Sequence, residues 1–323
     1  MALLMMCAVA VLMGPVDLSA GAVMAALMGE DATSDVDTRV SQIVWSIRLP
    51  RLCLGLLVGC ALASSGAALQ GLFRNPLADP YVLGIASGGA FGAALAFWLN
   101  DQSSSVLVPP PIAAFGGALL AGMTVFALSR KGGRLTLASL LLSGVAVGML
   151  FSALLALILV LASEQAGHIL NWLLGYLGNG SWHEVRWVFV TTAVGFIPLF
   201  WVRFSLDGML LGEDGAASTG IDVQRTQYVV LAASSILVAG AVAFAGLIGF
   251  IGLIVPHLVR LLVGPQHRVL LPMSALVGAL VLVGADVLAR ILVDDRELPV
   301  GVITGCLGGP FFLILLRRSL NHA

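Results

Sequence analysis

The stretch RLPRLCLGLLVGCALASSGAALQGLFRNPLADPYVLGIASGGAFG, residues 48–92, decides the fold. Arg48 and Arg51, with Pro50 between them, lead into residues 52–73, which carry no charged side chain. A short polar break, RNPLADP at 74–80, separates this run from a second one rich in small apolar residues. At about 1.5 Å per residue, such a run crosses a hydrocarbon layer about 30 Å thick. Backbone polar groups in that solvent must be satisfied locally, so the stretch reads as helix, stiff turn, helix.

Composition extends this reading to the whole chain. Of 323 residues, 59% are hydrophobic and 10% charged, with mean hydropathy +1.03. Soluble domains carry about 25% charged residues, so too little charge is present to cover a water-facing surface. The fold class is an all-α polytopic membrane protein. A net charge of −1 gives no basic field for nucleic acid. Cys7, Cys53, Cys60 and Cys306 form no C-x-x-C pair, have no histidine at ligand spacing, and read as small buried hydrophobes. No phosphate-binding G-x-x-x-x-G-K-[ST] loop occurs, and Lys131, the only lysine, lies in SRKGG at 129–133. Any ATP hydrolysis that drives this chain therefore belongs to another subunit, and no catalytic residue, cofactor or metal set is expected in it.

About ten spans are predicted: a first run from residue 1, then 52–73, 82–99, 112–129, 137–161, 187–204, 228–244, 248–263, 271–293 and 302–316. The first run, 1–13, is short for a crossing. Either residues 15–28 complete it despite Asp17, or the true start lies upstream. Residues 30–37 read as an acidic exposed loop. With a cytoplasmic N-terminus, ten Lys/Arg residues fall on inner loops and span ends and six on outer ones. The positive-inside rule then places both termini in the cytoplasm.

Glycine pairs 55/59, 88/92, 144/148, 301/305 and 305/309 have the spacing that lets helix backbones approach closely. Packing within the chain is the expected use, rather than a dedicated dimer seam. Pro198, Pro256 and Pro310 fall within or beside spans as local irregularities, whereas Pro272 is placed to start a helix. Asp286 is the deep ionisable residue, and Arg290 follows one turn later, as an i,i+4 ion pair or as a functional pair. His257 reads as a local hydrogen-bonding residue. Residues 205–223 are too long for a tight turn, with an acidic helix start and Gly220 as a stop. A short helix pair there offers a docking surface to a soluble partner. Between residues 164 and 184, Trp172, Tyr176 and Trp182 suit either an interfacial helix or the lining of a substrate mouth.

Five motifs carry a family resemblance: RLPR at 48–51, GAALQGLFRNPLADP at 66–80, LGEDGAASTG at 211–220, GFIGLIVPH at 249–257 and ELPVG at 297–301. Together, and in this order, they resemble permease subunits of ABC importers for iron-siderophore complexes, haem and cobalamin. The resemblance implies a single permease domain over 1–323 with the ten-span type II importer fold, working as a homodimer in the bacterial or archaeal cytoplasmic membrane. It further implies two cytoplasmic ATPase subunits and an extracytoplasmic binding protein as partners. By similarity, Arg48, Arg51 and Arg290 receive glutamates of the binding protein, and Asn75 and Leu77 form a cytoplasmic gate. Leu211, Gly212, Glu213, Ala216, Ala217 and Gly220 fall in a coupling segment at 205–225. An iron-siderophore is the first substrate expectation, with cobalamin and haem behind it. An ion-coupled secondary transporter is the rival class, against which the lack of a carboxylate relay speaks; a non-transporting membrane scaffold is a second, which leaves the gate-like turn without a use.

Overall fold

The computed structural model describes residues 1–14, 16, 18–29, 35–103, 105–131, 134–178, 180–293 and 296–320. Helices α1 (Ala2–Leu12) and α2 (Ala20–Met28) are followed by α3 (Asp35–Gln42), which continues through a π-helical turn, Ile43–Arg48, into α4 (Leu49–Phe73). After the polar break, one 3-10 turn (Pro80–Leu83) leads to α5 (Ile85–Asp101) and α6 (Pro110–Leu128). A hairpin of β1 (Arg130–Lys131) and β2 (Arg134–Leu135) joins α6 to α7 (Leu137–Leu161). Then come α8 (Ala166–Leu173), α9 (Trp182–Trp201), α10 (Arg203–Met209) and α11 (Glu213–Ser218). The chain closes with α12 (Val223–Ala245), α13 (Ile251–Val263), α14 (His267–Ile291) and α15 (Val300–Leu320).

Among the described residues, six helical runs, one of them the continuous 37–73 helix, are long and apolar enough to cross a membrane, while the predicted spans at 1–13, 82–99, 248–263 and 302–316 overlap α1, α5, α13 and α15. Helix α4 is the central element and packs against α14, α12, α13 and α9. Lipid supplies no hydrophobic drive for helices to associate, so contact depends on close van der Waals fit. Glycines provide it. A methyl group on Gly59 would overlap the Gly278 carbonyl of α14, and one on Gly66 would overlap the Gly252 carbonyl of α13. Gly88 and Gly92 of α5 meet Gly117 and Ala113 of α6 in the same way. These pairs serve packing within the chain, as expected, whereas no described residue lies within 4 Å of a methyl added at Gly305 or Gly309. Helix α7 keeps one face open, with Leu142, Met149 and Val160 exposed as on a lipid-facing helix.

Several expectations are corrected. The first apolar run is two helices, α1 and α2, with a break between them. Residues 30–34 lie outside the described residues, but Asp35 and Asp37 belong to α3 rather than to a loop, and the π-helical turn carries the helix past Pro50. Helix α9 begins at Trp182, ahead of the predicted 187, because Ser181 and Glu184 form a reciprocal capping box that satisfies the first turn. Pro272 does not start α14; it sits in the second turn of a helix that begins at His267. Helix α13 starts late, after Phe250 at φ 70°. The four cysteines are free thiols, and Cys306 is exposed instead of buried. His257, within α13, is half-buried, and its side chain hydrogen-bonds with no described residue.

Substituting Gly66→Val is expected to separate α4 from α13 and lower stability by about 3 kcal/mol or more, since backbone cannot yield as a side chain can. Gly116, with nothing within 4 Å of its missing methyl, is the control: Gly116→Ala leaves the melting temperature in detergent unchanged or slightly raised. Equal melting temperatures for the Gly66 variant and the parent would refute the close-packing account.

Candidate functional site

At the predicted outer end, the three arginines singled out in the sequence are folded inward. Arg51 Nη2 lies 2.9 Å from Asp286 Oδ1 of α14, and its Nη1 lies 2.8 Å from Glu297 Oε2, just before α15. The Tyr176 hydroxyl donates to the same Glu297 oxygen at 2.9 Å, and the Arg51 guanidinium lies over the Tyr176 ring. Arg290 shares Asp286 at 3.2 Å and donates to the carbonyls of Ala10 and Met13 at 3.1 and 2.8 Å. Arg48 donates to the carbonyls of Val11 and Leu12 at 2.6 and 2.7 Å, and to that of Val16. The backbone between α1 and α2 thus leaves carbonyls that no helix satisfies, and two guanidiniums satisfy them. The i,i+4 pair of Asp286 and Arg290 exists, yet Asp286 holds Arg51 equally. Arg48 and Arg51 are 5% and 6% exposed, so neither presents a bare charge at the surface in this conformation.

Beside this network opens a cavity of about 750 Å³. Helix α8 ends at Gly175 (φ 79°), which lets Tyr176 turn back so that its N–H donates to Ala245 O at 3.0 Å. The chain leaves α12 through Gly246, where a methyl would overlap the Trp172 carbonyl. Trp172, Tyr176, Phe97 and Phe244 line the cavity with apolar rings, while Asn171, His168, Glu184, Arg296 and Glu297 add polar groups. His168, Asn171, Trp172 and Tyr176 therefore line this cavity. Trp182 sits apart, its indole N–H donating to Trp45 O at 2.8 Å.

The predicted inner end lies across the whole of α4, whose 25 residues span about 37 Å. Arg74 closes α4 in the left-handed region (φ 51°), and Asn75 Oδ1 accepts from Leu77 N at 2.9 Å. Asp79 Oδ1 accepts from Tyr81 N at 2.7 Å, and the Tyr81 hydroxyl donates to Ile248 O at 2.9 Å. Asn75 is exposed and Leu77 half-buried on a turn braced by two side-chain caps and by Pro76 and Pro80. Burial pushes the Asp79 carboxyl up, outweighing the hydrogen bond from Tyr81 N.

The expected short helix pair at 205–223 is present as α10 and α11, joined by Gly212 at φ 94°. Leu211 is 68% exposed, and Ala217 and Gly220 are exposed, whereas Gly212 and Ala216 are buried and can act only through packing. Glu213 Oε1 accepts from Gln227 Nε2 at 3.0 Å, which ties α11 to α12. Gln224 Oε1 accepts from Leu135 N at 2.9 Å, holding the basic hairpin against the same helix. Two features escaped the sequence reading: Glu297 as a second carboxylate on Arg51, and the contact of Asp207 with His267. Both are long-range pairs that no local spacing signals.

The FecCD transport family matches residues 2–318 of the chain. The cobalamin import system permease protein BtuC of Halobacterium salinarum is 48% identical over 275 residues, covering 85% of this chain and 73% of that one. The hemin transport system permease protein HmuU of Yersinia pestis is 38% identical over 284 residues, covering 85% and 84%. Among solved structures, an inward-facing conformation of a metal-chelate type ABC transporter superimposes with a TM-score of 0.85 at 32% identity, covering 98% of this chain and 96% of that one. The chain belongs to the FecCD transport family, as a multi-pass cytoplasmic-membrane permease subunit of an ABC importer for iron chelates, haem or cobalamin.

Proposed function

We propose that this chain is one half of a homodimeric permease that imports cobalamin, driven by two cytoplasmic ATPase subunits and fed by an extracytoplasmic binding protein. The observation that carries the substrate is the 48% identity to the Halobacterium salinarum cobalamin permease, against 38% to the Yersinia pestis hemin permease. The cavity supports it: Trp172, Tyr176, Phe97 and Phe244 suit a large ring, and Asn171 an amide-bearing periphery. An iron chelate is the second reading, favoured by the 38% identity over 281 residues to an iron chelatin permease of Helicobacter pylori.

On this reading both termini are cytoplasmic and residues 205–225 receive the ATPase. The exposed Leu211, Ala217 and Gly220 form the contact, Glu213 orients it, and Gly212 and Ala216 pack beneath. Closure of the ATPase pair moves α10 and α11, and the braced turn carrying Asn75 and Leu77 opens or seals the inner gate as a rigid body. Gly305 and Gly309 of α15, unopposed among the described residues, suit the approach of the second copy. Arg48, Arg51 and Arg290 receive the binding protein by exchange, since their guanidiniums already hold internal partners; an incoming carboxylate takes Arg51 from Glu297.

Reconstituted with its ATPase and binding protein, the permease should carry radiolabelled cyanocobalamin at least tenfold faster than haem or a ferric hydroxamate. Uptake of the ferric chelate alone would replace the first reading with the second. Glu213→Arg breaks the bond to Gln227 and reverses a charge in the contact, and should reduce ATP-coupled uptake about tenfold; undiminished uptake removes the coupling assignment. Glu297→Gln releases half of the hold on Arg51, so affinity for the binding protein should rise several-fold, most at low salt. An affinity that falls or stays constant argues against docking on these arginines.

A further inference from the structure

Asp207, near the end of α10, places one carboxylate oxygen on two donors of a single residue: His267 N at 2.8 Å and His267 Nδ1 at 2.7 Å. It does for α14 what the helix's own N-cap, Gln266, does not, because Gln266 makes no side-chain cap bond. Burial pushes the Asp207 carboxyl up, but the two His267 bonds outweigh it and hold it below the ordinary carboxylate range. The imidazole is fully buried, and with Nδ1 donating to Asp207 its other nitrogen, Nε2, points at α4 with no hydrogen-bond partner among the described residues. It fits there only because residue 71 is glycine; a methyl at that position would overlap the ring. Three residues beyond Gly71, α4 ends at Arg74 and the gate-like turn begins. The Arg74 guanidinium in turn lies beside Gly212, where an added methyl would stand 3.1 Å from Nη1.

The 205–225 segment thus reaches the end of α4 at two places, indirectly through the His267 ring of α14 and directly where Gly212 meets Arg74. We infer that Asp207 and His267 are positioning residues for transport, forming a strut that transmits displacement of α10 to the end of α4 and so to the turn at 75–80. The inference rests on residues 205–225 being the segment the ATPase moves. A buried ring hydrogen-bonded to the Asp207 carboxylate on one side and packed against Gly71 on the other transmits displacement because it has no free rotamer to absorb it, unlike a solvated loop. Asp207 acts on His267, His267 on Gly71, and none of the three touches substrate.

The test uses the whole complex of permease, ATPase and binding protein in liposomes, with uptake per ATP hydrolysed as the readout. The probe is cyanocobalamin, or haem if the parent complex does not carry cyanocobalamin. Asp207→Ala should keep ATPase association and hydrolysis within twofold of the parent while uptake per ATP falls at least tenfold. Asp207→Asn keeps an accepting oxygen for both donors and should recover at least a third of the parent ratio. If uptake and hydrolysis fall together, in step with melting temperature, the pair only holds the fold and the inference fails; it also fails if uptake per ATP is unchanged, or if Asp207→Ala releases the ATPase. Should the alanine variant not fold, the asparagine variant decides: a ratio equal to the parent's overturns the strut. A Glu213→Arg complex that still couples normally would instead overturn the reading of the segment, leaving the Asp207 result to be read separately.

Discussion

The backbone of α4 can lie against α14 and α13 only where side chains are missing, and the rest of the structure depends on that. In lipid, packing at van der Waals distance must replace the hydrophobic effect. Gly59 against Gly278 and Gly66 against Gly252 bring main chains together where even one methyl has no room. Contacts of this kind make α4 a rigid member. They also explain why a helix with almost no amphipathic bias sits at the centre instead of facing lipid.

A second constraint acts at the N-terminal end of that helix. The break between α1 and α2 exposes carbonyls that a bilayer cannot hydrate, and Arg48 and Arg290 reach across to satisfy them. Arg51 is held between Asp286 and Glu297. Charges so deep persist only when compensated: Arg51 and Arg290 pair with Asp286 and Glu297, and Arg48 donates to backbone carbonyls. Because Glu297 also holds Tyr176, the charge network and the wall of the cavity are one structure.

The C-terminal end of α4 is built differently. Side-chain caps and prolines stiffen the turn after α4, and short helices lie beside it with exposed apolar residues such as Leu211. One end stores its polar groups inside; the other offers surface.

The sequence by itself determined a great deal. Uncharged runs longer than a bilayer is thick leave helices as the available structure, so spans, the turn at 74–80 and the helix pair at 205–223 were legible as local patterns. The motif order carried the family. Helix ends were less legible where a cap decided them, as at Ser181 and Glu184, or where Pro272 was absorbed inside a helix that starts earlier. What only the tertiary structure decided is which residues satisfy one another across the bundle. Arg51 looked like a free outer charge until Glu297, 246 positions away, closed on it, and His267 drew no notice until Asp207 and Gly71 met it from two other helices. Sequence spacing encodes neighbours along one helix; pairs made by packing depend on where separate helices come to rest.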